Sequence, residues 1–175
     1  FLIINGTLAG TMTIANGANV EHATGSMDGT GTIVGTLKWT SGVMGTGGTK
    51  TIAVNGTLLV SGAADKDLRC SLNNLGTVLW TGGRILGHAS PIITNQPGAV
   101  FESRVDATLF ESGDGTTKTF YNLGTVRKIA STASLRSLRR RAGTQSTGAT
   151  RTKINKRRAF ASPESCSAND HATSM

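Results

Sequence analysis

A short sequence unit recurs about every 20 residues over positions 1–130, a period typical of solenoids, and this repeat constrains the fold more than any other feature. Each unit is built around Gly, then Thr or Ala, then an apolar residue, often with Asn in front. The apolar residues of successive units are Leu8, Val20, Leu37, Leu58, Val78, Phe101 and Val126. After a short first step their separation settles near the stated period. In a solenoid each such repeat adds one turn.

Within a unit the pattern is strand, turn, strand. Residues 51–54 alternate and end at Asn55-Gly56, and residues 57–60 resume the alternation. A meander of hairpins has no reason to keep a constant period of this length, whereas a coil with one turn per unit requires it. We therefore predict an all-β fold, a right-handed single-stranded parallel β-helix of about six coils with strands about 4.8 Å apart.

The alternation also predicts which side chains face outward. Residues that follow the apolar positions should point to solvent, and four of the seven are charged, as a period of two requires. These residues are Ala9, Glu21, Lys38, Leu59, Leu79, Glu102 and Arg127.

Charge and composition divide the chain into two parts. Residues 1–130 contain nine Lys and Arg against eight Asp and Glu, whereas residues 131–175 contain nine against two. Of the 23 Gly in the chain, all but two lie in the first part. We assign residues 1–130 to a β-helix repeat domain, and we expect it to be a fragment of a longer solenoid that continues upstream.

The basic segment 131–175 departs from the repeat. Its Ser- and Arg-rich composition predicts a solvated, disordered extension, and its abrupt start equally suits a frame-shifted gene end. Both interpretations are favoured over specific binding of nucleic acid, which a basic tract also permits. The chain has no apolar run of about 18 residues, so no membrane-spanning helix is expected.

The segments 62–68 (GAADKDL) and 72–83 (LNNLGTVLWTGG) resemble repeats of large bacterial surface and secreted proteins, of the filamentous-haemagglutinin and autotransporter-passenger kind. The resemblance covers about residues 5–128. It implies an extracellular or cell-surface location and a stalk with an adhesive role toward host or environmental polysaccharide.

Five residues are candidates for ligand binding. Trp39 and Trp80 occupy equivalent places in the segments 35–42 and 76–83, which align with each other two units apart. They suit either sugar stacking or core packing, and packing is favoured because aromatic side chains dominate cores. Asp106, Glu111 and Asp114 lie in the longest spacer, where solenoids place binding insertions, although a plain turn is the favoured interpretation.

Other motifs are weaker. The Thr-x-Thr pairs at Thr11, Thr49 and Thr117 resemble the threonine ladders of ice-binding solenoids. Such ladders need the pair on consecutive coils, and these pairs lie far apart in the chain, so we interpret them as ordinary strand threonines. His22, His88 and His171 are isolated, without Cys or carboxylate at metal spacing. No metal, cofactor or catalytic residue is therefore predicted.

Besides binding of nucleic acid or an anionic surface through residues 131–175, two functions remain open for residues 1–130. The first is a non-catalytic structural or adhesive segment of a bacterial surface or secreted protein. The alternative is a carbohydrate-active β-helix, a lyase or hydrolase, or a carbohydrate-binding one. An enzyme of this kind requires at least two carboxylates from neighbouring coils in one cleft.

Overall fold

The computed structural model describes residues 1–129, which form a β-solenoid of about six turns without helices in that range. Each complete turn contributes one strand to each of three parallel sheets. Sheet 1 contains β1 (Leu2–Ile4), β4 (Asn19–His22), β7 (Thr36–Trp39), β10 (Thr57–Val60), β13 (Thr77–Trp80), β16 (Val100–Ser103) and β18 (Thr125–Lys128). Sheet 2 contains β2 (Thr7–Leu8), β5 (Ser26–Met27), β8 (Gly42–Met44), β11 (Lys66–Leu68) and β14 (Ile85–Gly87). Sheet 3 contains β3 (Met12–Ile14), β6 (Gly31–Ile33), β9 (Thr49–Ile52), β12 (Ser71–Asn74), β15 (Ile92–Asn95) and β17 (Thr119–Asn122).

The predicted parallel β-solenoid is thus confirmed, while its right-handed sense stays a prediction. The basic segment 131–175 lies outside the described residues.

The repeat register is confirmed in sheet 1 for all but the first unit. Val20, Leu37, Leu58, Val78, Phe101 and Val126 stack in one row on adjacent strands. The assignment of Leu8 to this row is wrong, because Leu8 lies in sheet 2 opposite Met27 and the residue stacked on Val20 is Leu2. The Gly6-Thr7-Leu8 unit begins a strand of sheet 2 with the same local pattern as the units of sheet 1. This is why Leu8 and Val20 are closer in the chain than the later apolar residues.

The core consists of stacked aliphatic rows with polar residues inserted into them. In sheet 3, Ile14, Ile33 and Ile52 occupy one inward row, and Asn74, Asn95 and Asn122 continue it. Asn74 Nδ2 donates to Asn95 Oδ1 at 2.7 Å, and Asn95 Nδ2 donates to Asn122 Oδ1 at 2.8 Å. Each of these two amides also donates to a backbone carbonyl, of Val100 and Thr125 respectively. The buried row is therefore hydrogen-bonded along the solenoid axis, as burial of amides requires.

Side chains on the outer face of sheet 1 alternate as predicted, and charged ones pair across coils. Lys38 Nζ donates to Glu21 Oε2 at 3.2 Å. Glu102 is only 2% exposed although it points outward, because Arg104 and Arg127 lie over its carboxylate. The Arg104 hydrogen bond is the main cause that lowers the pKa of Glu102 below its ordinary value.

Sheet 3 places threonine pairs on consecutive coils, which the separation of Thr11 and Thr49 in the chain did not predict. Between Thr11-x-Thr13 and Thr49-x-Thr51 lies Thr30-x-Thr32 on the intermediate coil. Thr13 pairs in register with Thr32, which pairs in turn with Thr51. The three pairs therefore occupy consecutive coils, and the separation of the first from the third in the chain corresponds to two turns.

We expect Asn95→Ala to lower the free energy of unfolding by about 2 kcal/mol, because it removes three hydrogen bonds from a buried row. Denaturant unfolding of the full chain measures the change. Asn19→Ala is the matched control, since Asn19 is exposed on β4, and it should shift stability by less than about 0.5 kcal/mol. Equal effects of the two substitutions would show that the row does not stabilise the core.

Candidate functional site

The two tryptophans lie in the core. Trp39 and Trp80 are 1% and 3% exposed and stack on either side of Val60, two coils apart. Trp80 Nε1 donates to the Gly83 carbonyl at 2.8 Å, which satisfies its polar atom. The structure therefore agrees with packing, and in it neither ring is accessible to a sugar.

The three candidate carboxylates of the long spacer pair with three different cations. Asp106 lies 2.7 Å from Lys128 Nζ, and Glu111 lies 3.2 Å from Arg84 Nη1. Asp114 pairs with Lys118. Each acidic residue of the spacer is thus neutralised by a separate cation.

Arg84 joins carboxylates from two other coils. Its Nη2 lies 2.5 Å from Asp65 Oδ2, and its Nη1 binds Glu111. The guanidinium lowers the pKa of Asp65, and the carboxylates raise the pKa of Arg84. These two acids do converge from different coils, but the guanidinium between them keeps Asp65 ionised, which is unsuited to a general acid.

Asp114 organises the spacer as a hydrogen-bond acceptor. It accepts from Ser112 Oγ at 3.2 Å, from the Thr116 amide at 3.1 Å and from the Thr116 hydroxyl at 2.8 Å. It also accepts from the Ala89 amide of the preceding coil at 3.3 Å. The bond from Lys118 is the main cause that holds the pKa of Asp114 far below its ordinary value. Asp114 is therefore a structural carboxylate that fixes the spacer to the neighbouring turn.

A histidine–carboxylate pair on the surface of sheet 2 escaped the sequence analysis. His88 Nδ1 lies 2.7 Å from Asp67 Oδ1, and Arg69 donates to Asp67 Oδ2 from Nε at 2.8 Å and Nη2 at 2.6 Å. Asp67 and His88 are separated by one coil in the chain. Searching for partners at the coil offset, instead of at short metal spacings, would have found the pair.

The backbone beside His88 is strained. Ala89 and Ser90 have φ of 59° and 55°, and Phe110 of the spacer has φ of 66°. Side chains other than glycine rarely adopt this region. The Ala89 and Ser90 amides receive support from Asp114 and Thr116, so the spacer holds the strained turn in place.

Within residues 1–129 three ionisable side chains have no solvent exposure. Lys66 Nζ donates to the carbonyls of Gly62, Ala64 and Gly82 at 2.8 to 2.9 Å, so backbone oxygens surround the ammonium. Lys50 Nζ donates to the Gly29 carbonyl, and burial lowers the pKa of Lys50. Gly31 makes room for it, since a Cβ there would lie 2.9 Å from Lys50 Cδ.

His22 is the third. Its Nε2 lies 3.1 Å from the Val43 carbonyl, and its Nδ1 has no hydrogen-bond partner within residues 1–129. Burial is the main cause that lowers the pKa of His22, so the imidazole is neutral in the folded core.

The outer surface of residues 1–129 carries ion pairs that join neighbouring coils. Residues 1–129 contain no group of three or more His, Cys, Asp or Glu arranged to hold a metal ion. In the same range no helix is long and apolar enough to cross a membrane.

Comparison with protein-family models, with curated proteins and with solved structures finds no match for this chain. Inferences about its function therefore rest on its own residues and on the resemblance to bacterial surface repeats.

We expect Asp114→Asn to increase proteolytic cleavage within residues 104–118 severalfold, because the amide keeps only one of the two acceptor oxygens that hold the spacer and has no charge to pair with Lys118. Limited digestion at neutral pH, with cleavage sites mapped by mass spectrometry, measures this. Asp106→Asn is the control in the same spacer, since within the described residues Asp106 pairs with Lys128 alone and its side chain is 67% exposed. Equal cleavage of both variants would contradict the assigned role.

We expect the free energy of unfolding to fall as pH drops below about 6.5, the ordinary pKa of histidine, because His22 resists protonation in the core. The unfolded chain binds this proton more readily than the folded one, so stability rises with pH through the window between the lowered pKa and the ordinary one. His22→Gln should flatten this dependence in denaturant unfolding between pH 5 and about 7. An unchanged slope would show that other groups cause it.

Proposed function

We propose that residues 1–129 form a non-catalytic structural segment of a bacterial cell-surface or secreted protein, a rigid rod that spaces or displays other parts. The observation that carries this proposal is the pairing of the outer carboxylates. Within residues 1–129 seven of them are each bound by Lys, Arg or His: Glu21, Asp65, Asp67, Glu102, Asp106, Glu111 and Asp114. Paired charges on a stacked core give a stable, nearly neutral surface.

The packing of the core is also consistent with an extended, rod-like segment. In sheet 1 the inward row is apolar from Leu2 to Val126, so each coil packs an apolar side chain on those of its neighbours. Stability in such solenoids is a sum of nearest-neighbour contributions, which allows length to vary without a change of fold. The surface location and any adhesive role toward polysaccharide rest on the resemblance to haemagglutinin-like and autotransporter-like repeats.

The competing proposal, a carbohydrate-active β-helix, requires Asp65 and Glu111 as its catalytic acids. These two residues come from different coils, but both bind the guanidinium of Arg84, which lies between them. A glycosidase needs one protonated acid and one free carboxylate about 5 to 9.5 Å apart across the scissile bond. The low pKa of Asp65 opposes the first role.

Purified full chain, incubated with a panel of plant and bacterial polysaccharides, should leave them intact. Reducing ends and unsaturated products are measured over days, with and without added divalent cations. Cleavage that disappears in Asp65→Asn, Glu111→Gln, Asp106→Asn or Asp114→Asn, but persists in the control Glu21→Gln, would overturn the proposal. Glu21 is a suitable control because it forms the same kind of ion pair on sheet 1.

A further inference from the structure

The outer face of sheet 3 carries a two-column array of small hydroxyl side chains. The first column consists of Thr11, Thr30, Thr49, Ser71, Ile92 and Thr119, and the second of Thr13, Thr32, Thr51, Asn73, Thr94 and Tyr121. Eight of these twelve positions are threonine. The first three coils carry Thr in both columns, and Thr30 Oγ1 donates to Thr11 Oγ1 at 3.3 Å.

The array is exposed where it is most regular. Thr11, Thr13, Thr30, Thr32 and Thr49 are exposed, and Thr51 is half-buried. The side chains between the columns point into the core, as those of Lys50, Leu72 and Ile93 do, so both columns stand on one surface. Threonine in a strand has restricted χ1, and its hydroxyl and methyl groups therefore hold a repeated orientation.

This face also differs from the others in charge. Within residues 1–129, neither column of sheet 3 contains a charged residue. The outer face of sheet 1 carries Glu21, Lys38, Glu102 and Arg127, and that of sheet 2 carries Asp67. Charge is therefore excluded from the one face that has the hydroxyl lattice.

We propose that the outer face of sheet 3, centred on Thr32, adsorbs to the surface of ice. Neighbouring strands repeat about every 4.8 Å, and alternate residues along a strand repeat about every 6.7 Å. Both periods lie close to distances between oxygen atoms in the lattice of hexagonal ice. A rigid array of methyl and hydroxyl groups at these periods holds water in positions that continue such a lattice.

The residue types favour ice over other repeating surfaces. Mineral and polyelectrolyte surfaces are recognised by charge, which both columns lack. Crystalline polysaccharides are bound through exposed aromatic rings that stack on sugars, and the array has only Tyr121, at its last rung. Ice offers neither charge nor sugar rings. A protein can recognise it only by matching small side-chain groups to the two-dimensional spacing of its oxygen atoms.

The test compares Thr32→Lys with Thr57→Lys in the full chain. Thr57 is the matched control because it sits in a threonine column of sheet 1, between Thr36 and Thr77. Adsorption is measured as incorporation of labelled protein into a growing ice hemisphere, and as the protein concentration that stops recrystallisation of fine-grained ice. The natural chain and Thr57→Lys should act at the same concentration, whereas Thr32→Lys should require about tenfold more protein.

Thermal unfolding of each variant verifies that it folds. If Thr32→Lys does not fold, Thr13→Lys in the same column is used as a second disrupting variant. Exclusion of the natural chain from ice, or equal adsorption of the sheet 3 variants and the control, would overturn the proposal. Pelleting of the natural chain with microcrystalline cellulose or chitin, lost in Thr32→Lys and unaccompanied by ice adsorption, would overturn it in favour of a polysaccharide. None of these outcomes depends on the rod proposal, which is tested by polysaccharide cleavage.

Discussion

Parallel, in-register stacking of coils is the constraint on which the rest of the structure depends. Each inward residue lies directly above the residue at the same register position of the previous coil, so a polar group in the core can bond to a like side chain one coil away or to a backbone carbonyl. Asn95 uses both solutions, with Asn74 and Asn122 above and below it and the Thr125 carbonyl beside it. Lys66 uses carbonyls alone. The core therefore admits amides and ammonium groups that a two-layer fold would place at its surface.

Variation in coil length is absorbed at the corners, where it has local consequences. The largest excess falls at residues 104–118, and there sheet 2 is reduced to a single bridge between Ile85 and Leu109. The extra chain folds back on the previous coil through Asp114, and the strained turn at Ala89 and Ser90 is held by it. A long insertion in this solenoid is thus fixed by hydrogen bonds to its neighbour and does not interrupt the two sheets that flank it.

The sequence predicts the fold because period and alternation are properties of the backbone, and it predicts the sites poorly because those depend on coil register. Gly-Thr-apolar units locate sheet 1, yet the same unit at Leu8 starts a strand of sheet 2, so local pattern alone assigns the wrong row. The Asp67–His88 and Asp65–Arg84–Glu111 contacts join residues about one or two coils apart, and coil length changes from turn to turn.

Lys50 and His22 point into the core because of their place in the alternation of the strand. Their polar side chains, taken alone, would predict that they face solvent. The packing of Trp39 and Trp80 was predictable from the sequence. Each lies two residues after an inward-facing apolar residue, and alternate residues of a strand face the same side.

The threonine array is regular only in part, and its regular part coincides with the coils of equal length. Thr11, Thr30 and Thr49 follow one another at equal intervals, and where the later turns lengthen the same column contains Ser71, Ile92 and Thr119. Register is nevertheless kept through all six strands of sheet 3, so the change is one of side chains and not of backbone. A strand propensity for threonine would apply equally to all three sheets. Sheet 1 has its own threonine column beside charged residues, whereas sheet 3 has two adjacent columns without charge. Strand propensity alone does not explain this difference between the faces.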